Sequence, residues 1–437
     1  MKHRLLELRE SLRTSVWFIP LVFCLACLAL AVVLQWLERD LELLFPQLKM
    51  FAMSVTSARN VLGVIAGSVL SVGGVVFSVT MVALTLTSGQ YGPKILRQFL
   101  SDANSKVSLG LFLGTSLYCL VIMAGYGDAD RPNITVIAAL LLVLVALAGF
   151  IRFIHGTATD LQADQIIERI GSELSQSLRE LSSGENLRGR SQDTLRWRRR
   201  ARGLRPVLIA ARSGGYVQTI DHAAVVQWCA ARNCVAQLRV RAGDFLLQGT
   251  CLIKLYGCRG ELDDTDLDPL RAHIRTGPMR TPVQDPEYPI TQLNQLAARA
   301  LSPGINDPGT AITCIDWYSM ALAEIVDREL PGKVFLDEEE GAVLLVRFSD
   351  FAGIAKAFYA PARQFAHDNI PVLIALLESL IRLASLTARA DRLQQLGEEA
   401  RLISVTTEQG DHLDYDLRHF RQRYQQLRRL TGRLQGA

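Results

Sequence analysis

The chain lacks most of what marks an enzyme or a nucleic-acid binder. Its 47 basic and 43 acidic residues leave a net charge of only +4. So mild an excess gives no argument for a nucleic-acid partner. The seven histidines are scattered. No Ser/His/Asp set, phosphate loop or metal motif can be read from the spacing. The eight cysteines form no metal pattern either. Cys24 and Cys27 have CxxC spacing but lie within an apolar run, and Cys229/Cys234 and Cys251/Cys258 lack zinc-like pairing. Free thiols are expected, as in a reducing cytoplasm. No catalytic constellation, metal or cofactor is therefore expected, and the reading is of a protein that is not an enzyme.

Charge is missing altogether from Asn60 to Pro93. Long apolar runs are present instead, nearly all before residue 155, in a chain that is 49 % hydrophobic. Four segments reach the ~20 residues needed to cross a bilayer: Val16–Leu37, Val61–Leu86, Val107–Gly125 and Ile134–Ile154. The first is followed by no small-residue cleavage site, so it is expected to remain as a span. Pro371–Thr387 is also very apolar. It is short and contains Glu378 and Arg382 at the i,i+4 spacing of a helical pair. It reads as a buried or interface helix, not a fifth span.

Lys and Arg near the spans set the expected orientation. Lys2, Arg4, Arg9 and Arg13 precede the first span, and Lys94, Arg97 and Lys106 follow the second. Arg131 alone marks the loop after the third, whereas Arg39, Lys49 and Arg59 in the first loop run against the rule. Both ends are placed in the cytoplasm.

The expected fold is an α-helical membrane protein with four transmembrane helices, followed by a cytoplasmic α+β region. We divide it into a four-span domain (1–156), an amphipathic helix with an arginine-rich linker (157–204), a small β-rich subdomain (205–260) and a mainly helical domain (261–437). The helix, Thr159 to Leu181, carries Ile167, Ile170, Leu174, Leu178 and Leu181 on one face. Eight arginines lie between Arg188 and Arg205. They read as a solvated loop or as an arm facing anionic lipid headgroups. Nucleic acid is disfavoured, because Trp197 is the single aromatic there.

"VLIAARSGGYVQTID" reads as two strands around Ser-Gly-Gly, followed by a helix from His222 to Arg232 capped by Asp221. "CVAQLRVRAGDFLLQGTCLIKLY" reads as strand, turn, short strand, turn, strand. This stretch of about 50 residues resembles the barrel-sandwich domains of biotinyl and lipoyl carriers. Carrier chemistry does not transfer, because Lys254 falls inside a strand and not on a hairpin tip. "ELDDTDLDP" reads as an acidic helix start at Pro269–Ile274; it lacks the glycine and distant glutamate of a calcium loop. A helix from Ile290 to Leu301 should turn tightly into another with Asp307 as N-cap and Pro308 first. The functional alternative gathers Arg280, Asp285, Asn306 and Asp307 into one polar site. Helices Asp350–His367, Pro371–Gln395 and Leu413–Leu434 close the chain. The last has a heptad seam, Leu413, Leu417, Phe420, Tyr424, Leu427, Thr431 and Leu434, fit for packing on its own domain or between subunits.

The second span holds the sharpest pattern. Gly63, Gly67, Ser71, Gly74, Ser78, Thr85 and Ser88 recur at steps of 4, 4, 3, 4, 7 and 3, with Met81 filling the gap. Such a stripe lets helix backbones approach closely in lipid. It also suits a pore lined by Ser71, Ser78 and Thr85 from several subunits, with Val75 and Val82 as a constriction. No span carries a charge in its middle, which counts against a proton relay. Gly89, Gly92 and Pro93 should break the span and act as a hinge. A homo-oligomeric channel is the leading reading. A non-conducting regulator or scaffold, whose cytoplasmic part binds a protein or small ligand, is the alternative.

Taken together, "AGSVLSVGGVVFSVTMVALTLTSGQYGPKILRQFL", "GYVQTID", "RTPVQD" and "ALSPGINDPGTA" resemble a bacterial family of predicted inner-membrane proteins, catalogued as domain of unknown function twenty-two fifty-four. The resemblance spans almost the whole chain. It implies a multi-span membrane protein with a cytoplasmic region and assigns no activity.

Overall fold

The computed structural model describes residues 17–44, 53–91, 103–127, 134–160, 162–183, 193–258, 262–330, 334–337 and 341–432. The chain divides into two units, Met1–Gln165 and Ile166–Ala437.

Among the described residues the first unit holds four long helices: α1 (Phe18–Leu44), α2 (Val55–Tyr91), α3 (Ala103–Gly125) and α4 (Ile134–Asp160). All four are long and apolar enough to cross a membrane. α3 is the central one. Of its apolar window 56 % is buried, against 17 %, 28 % and 22 % for α1, α2 and α4. Small residues make that centrality possible. A Cβ on Gly114 of α3 would lie 2.8 Å from Cys27 Sγ on α1, and one on Gly73 of α2 would lie 3.1 Å from Phe112 Cβ on α3. Lipid offers no water to satisfy a stray polar group. Three hydroxyls accordingly donate to backbone carbonyls: Ser116 to Ala66 at 2.8 Å, Ser108 to Gly149 at 3.1 Å and Tyr118 to Thr135 at 2.9 Å. One carboxylate enters this packing. Glu38, near the end of α1, accepts from Ile134 N at 2.6 Å and from Thr135 Oγ1 at 2.6 Å. It thereby satisfies free donors at the start of α4, where negative charge is favoured.

Among the described residues the second unit contains two sheets and a group of helices. α5 (Ala163–Ser183) and α6 (Asp193–Ala201) precede β1 (Val207–Ala210) and β2 (Gly215–Ile220). Then come α7 (His222–Ala231), β3 (Val235–Leu238), β4 (Phe245–Leu246), β5 (Cys251–Tyr256), α8 (Asp268–Ala272) and β6 (Ile274–Gly277). α9 (Glu287–Ala300), α10 (Pro308–Val326), β7 (Val334–Asp337) and β8 (Gly341–Leu345) follow. The chain closes with α11 (Phe351–Phe365), α12 (Ile370–Ser385), α13 (Ala390–Gln409) and α14 (Asp414–Gly432). One sheet has the order β1-β5-β3-β8-β7, and the other β4-β2-β6. All pairings are antiparallel except β3 with β8.

Several local expectations match. α5 buries Ile167, Ile170, Leu174 and Leu178. Asp221 and Asp307 cap α7 and α10 through their side chains, and Pro308 opens α10. Lys254 lies within β5. Others change. β1 and β2 flank Ser-Gly-Gly but belong to different sheets, because β1 pairs with β5 whereas β2 pairs with β4 and β6. The strands of residues 205–260 also take β8 as a neighbour, a partner from far along the chain. The acidic stretch leads into α8 as expected, and arginine meets two of its carboxylates: Arg271 bonds Asp264 and Asp268, and Arg212 bonds both as well.

The helix expected from Pro371 to Gln395 is two helices, α12 and α13, parted at Leu386–Arg389. There the Thr387 hydroxyl donates to Asp327 at 2.7 Å and accepts from Arg389 N at 3.1 Å. Glu378 does not pair with Arg382. It bonds Arg423 of α14 at 2.8 Å, while Arg382 reaches Asp316 of α10 at 2.5 Å. The heptad seam of α14 is used inside the chain, with Leu417, Phe420 and Leu427 buried against α12 and α13.

Candidate functional site

Two places gather the residues singled out above. The first is the surface of α2. Its buried face is Leu62, Ala66, Val69, Gly73 and Val76, which packs toward α3 and α4. The stripe is a different face. Gly67, Ser71, Gly74, Ser78 and Thr85 are exposed on the chain, and a Cβ on Gly67 or Gly74 would meet nothing within 4 Å. Gly63 is partly covered, near Met123. So the seam inside the subunit uses Ala66 and Gly73, one position off the stripe. Ser71 Oγ donates to Gly67 O at 2.9 Å and Thr85 Oγ1 to Met81 O at 2.8 Å. These back-bonds satisfy each hydroxyl's proton within the helix and leave its lone pairs free.

Of the expected break, only Gly89 lies among the described residues, and there the helix continues. α2 runs through Ser88 and Gly89 to Tyr91, and its 37 residues give a rod of about 55 Å. Gly92 and Pro93 lie outside the described residues.

The second place is a cleft of about 170 Å³ in the second unit. The "GYVQTID" and "RTPVQD" stretches meet beside it. Gln284 acts as a surrogate strand neighbour for β2: its Oε1 accepts from Ile220 N at 2.8 Å and its Nε2 donates to Ile220 O at 3.2 Å. Gln218 Nε2 donates to Met279 O at 2.9 Å. These bonds hold the 279–286 loop along β2.

That loop presents Asp285, whose side chain is buried. Arg280 bonds it twice through Oδ2, from Nε at 2.8 Å and Nη2 at 2.6 Å. Oδ1 accepts from Glu287 N at 3.2 Å at the start of α9. Burial raises the Asp285 pKa, and Arg280 pulls the other way. Gly243 makes room for the carboxylate. It sits at φ +90°, and a Cβ there would lie 2.3 Å from Asp285 Oδ2. This is a position for glycine on both steric and conformational grounds.

A second ion pair adjoins the first. Arg241 grips Glu287 with two parallel bonds of 2.8 Å, the fork geometry that favours arginine. The Ser349 hydroxyl bonds both partners. His222 completes this wall. It stacks on Phe335, with centroids 4.9 Å apart, and burial pushes its pKa down to about 4. The imidazole is therefore neutral near pH 7. Leu238, Val240, Pro282, Val283 and Phe348 supply apolar surface, and Ser177, Glu180 and Leu181 of α5 form another wall.

Of the four residues proposed as one polar site, the structure joins Arg280 and Asp285 only. Asn306 and Asp307 lie beyond the other end of α9, about 20 Å away by helix length. Asn306 adopts a left-handed turn at φ 47°. Asp307 accepts from Thr310 N at 3.1 Å and Thr310 Oγ1 at 2.6 Å, which holds its pKa below the usual range. The sequence does not single out Arg241, Glu287 or His222 for this site. Glu287 lies 46 residues from Arg241, and no spacing rule links them. The cleft offers charge, hydrogen bonds and apolar contact. Among the described residues, no cluster of three His, Cys, Asp or Glu could hold a metal.

Comparison with known proteins adds the family. The chain is 28 % identical over 396 residues to an uncharacterized protein of Mycobacterium tuberculosis, covering 88 % of this chain and 74 % of that one. An uncharacterized protein of Mycobacterium bovis matches with the same identity and coverage. No solved structure matches. The family model described as "Predicted membrane protein (DUF2254)" matches residues 13–382, from before the first span into α12. With four membrane-length helices and a match over most of its length, the chain is a multi-pass membrane protein belonging to that family.

Proposed function

We propose that the protein is a homo-oligomeric permeation protein of the bacterial inner membrane. α2 helices from several copies come together along the stripe from Gly67 to Thr85, and the second unit is a cytoplasmic control region. One observation carries this reading. α2 packs inside its own chain through Ala66 and Gly73 and leaves the parallel row of small residues outward. Small residues on an outer helix face favour close approach of another helix in lipid. Ser71 and Thr85 keep acceptor lone pairs for water, and the exposed Val75 and Val82 lie one position away as a constriction. The seam of α14, spent inside the chain, has no part in this assembly.

Single-channel recording on the full-length protein in a planar bilayer tests the reading. Discrete currents are expected, and the Ser71→Leu/Ser78→Leu protein should assemble without conducting. Unchanged currents in that folded variant would remove α2 from the path.

A second reading rests on the cleft. The protein is then a non-conducting regulator that binds a small ligand or peptide beside Arg241 and Asp285. α5, which forms one wall of the cleft, follows α4 after two residues, Leu161 and Gln162. Ligand contact with α5 would bear on the helix that follows the fourth span in the chain. Deleting residues after Gly156 should abolish function while the spans still insert. A truncated protein with full activity would sink this reading.

A further inference from the structure

The arginine-rich linker takes a definite form in its described part. Trp197 anchors α6. Trp197 is buried, donates from Nε1 to Ala236 O at 3.0 Å, and meets Tyr256 edge-on at 5.6 Å. Val235 and Val334 pack around it. With Trp197 turned in, the arginines beside it turn out: Arg196, Arg198, Arg199 and Arg202 are exposed.

Their pairing is unusual for this molecule. Arg212, Arg241, Arg271, Arg280, Arg382 and Arg421 each meet a carboxylate. Among the described residues, Arg198, Arg199 and Arg202 meet none. The surrounding sequence could hardly supply one: from Arg188 to Arg205 there are eight arginines and a single acid, Asp193. Large apolar side chains stand out beside them. Leu195 and Leu208 are each 57 % exposed and Leu204 is 44 % exposed. Arg198, Arg199 and Arg202 also line a groove between α6 and the strands β3 and β5, floored by Gln237 and Tyr256.

We propose that this face of α6 is a binding site for the phosphate groups of anionic lipid headgroups. Guanidinium forks match phosphate oxygens in pairs. Exposed leucines among arginines fit the boundary between headgroups and acyl chains, where basic residues face phosphate and apolar ones enter oil. Nucleic acid would use the arginines but not the leucines, and it wants aromatic stacking surfaces, whereas Trp197 is turned inward. The chain supplies its own membrane. Four spans precede α6, and 32 residues separate the end of α4 from its start, so a lipid surface is tethered to the site. The proposal is independent of whether α2 conducts.

Hydrogen exchange on the full-length protein in nanodiscs tests it. One preparation holds phosphatidylcholine alone, and the other mixes it with phosphatidylglycerol. Amides of 193–205 should exchange about tenfold more slowly in the anionic discs, while those of β3 should not change. The triple variant Arg198→Glu/Arg199→Glu/Arg202→Glu should lose the difference with β3 protection intact. Arg202→Glu alone should weaken it by roughly fivefold. Equal exchange in the two discs would overturn the proposal. So would equal protection of phosphatidylcholine discs by inorganic phosphate or by a single-stranded oligonucleotide, which would make the ligand a free anion or a nucleic acid.

Discussion

The two units solve the same problem in opposite ways. In the first, polar side chains turn onto the backbone. Ser71, Thr80, Thr85, Ser108, Ser116 and Tyr118 all donate to main-chain carbonyls. In the second, charged side chains also turn toward each other: Arg241 with Glu287, Arg280 with Asp285, Arg423 with Glu378. The contrast follows from the solvent. An ion pair exposed to hydrocarbon has no water to complete its hydrogen bonds, whereas a hydroxyl on its own helix needs none. Helix contacts in the first unit therefore depend on backbone approach, which small residues set. Contacts beside the cleft depend on charge geometry, which arginine sets. Glu38 is the instructive exception. Its carboxylate is tolerated because it caps the start of α4.

The contrast can be broken at named positions. The largest effect is expected at Gly243. Gly243→Ala forces a Cβ onto Asp285 in a left-handed backbone conformation. Losing the buried Arg280–Asp285 pair should cost about 4 kcal/mol. Denaturant unfolding of the purified protein would read it, and a change under 1 kcal/mol would mean the loop simply shifts.

The two faces of α2 should then separate. Gly73→Leu drives a side chain into Phe112 and should destabilise the helix bundle by about 3 kcal/mol. Gly74→Leu, one residue away, points into open space and should leave single-chain stability within about 0.5 kcal/mol. Thermal unfolding in detergent compares them, and equal losses would erase the distinction between the faces. Glu38→Ala leaves the Ile134 amide without its acceptor and takes one of two partners from the Thr135 hydroxyl, at about 2 kcal/mol. A neutral result would show that water reaches that end of the bundle.

The smallest effect is the pH response of His222. Its folded pKa, about 4, lies below the unfolded value near 6.5. The unfolded chain therefore binds the extra proton between these values, and the second unit loses stability as pH falls from 6.5 toward 4. About 1.5 kcal/mol is expected from this residue, allowing for its partial exposure. Asp285 acts with the opposite sign, since its raised pKa lets the folded state take up a proton first on acidification. The test is therefore the difference between the wild type and His222→Phe across that range. Parallel pH curves would remove the histidine from the account.

These positions differ in how far the sequence alone reveals them. Spans are legible because length and hydropathy are properties of one contiguous segment. The α9–α10 turn is legible for the same reason, with Asp307 and Pro308 adjacent to the helix they start. Arg280 and Asp285 could be named because they lie five residues apart. Arg241 and Glu287 could not, nor could the separation of β1 from β2, because both depend on partners brought in from afar. The break between α12 and α13 contains no glycine or proline. It is made by Thr387 bonding Asp327, a contact that exists only in the fold. For α2 the periodicity was visible, but which of two adjacent rows faces α3 was not.

That row carries the central claim. Native mass spectrometry of the full-length protein should find a multiple of the 48.3 kDa chain. The Gly67→Leu/Gly74→Leu protein should fold equally well and run as a single chain. Identical assembly in both, or a lone chain in both, would contradict a subunit contact built on the outward face of α2.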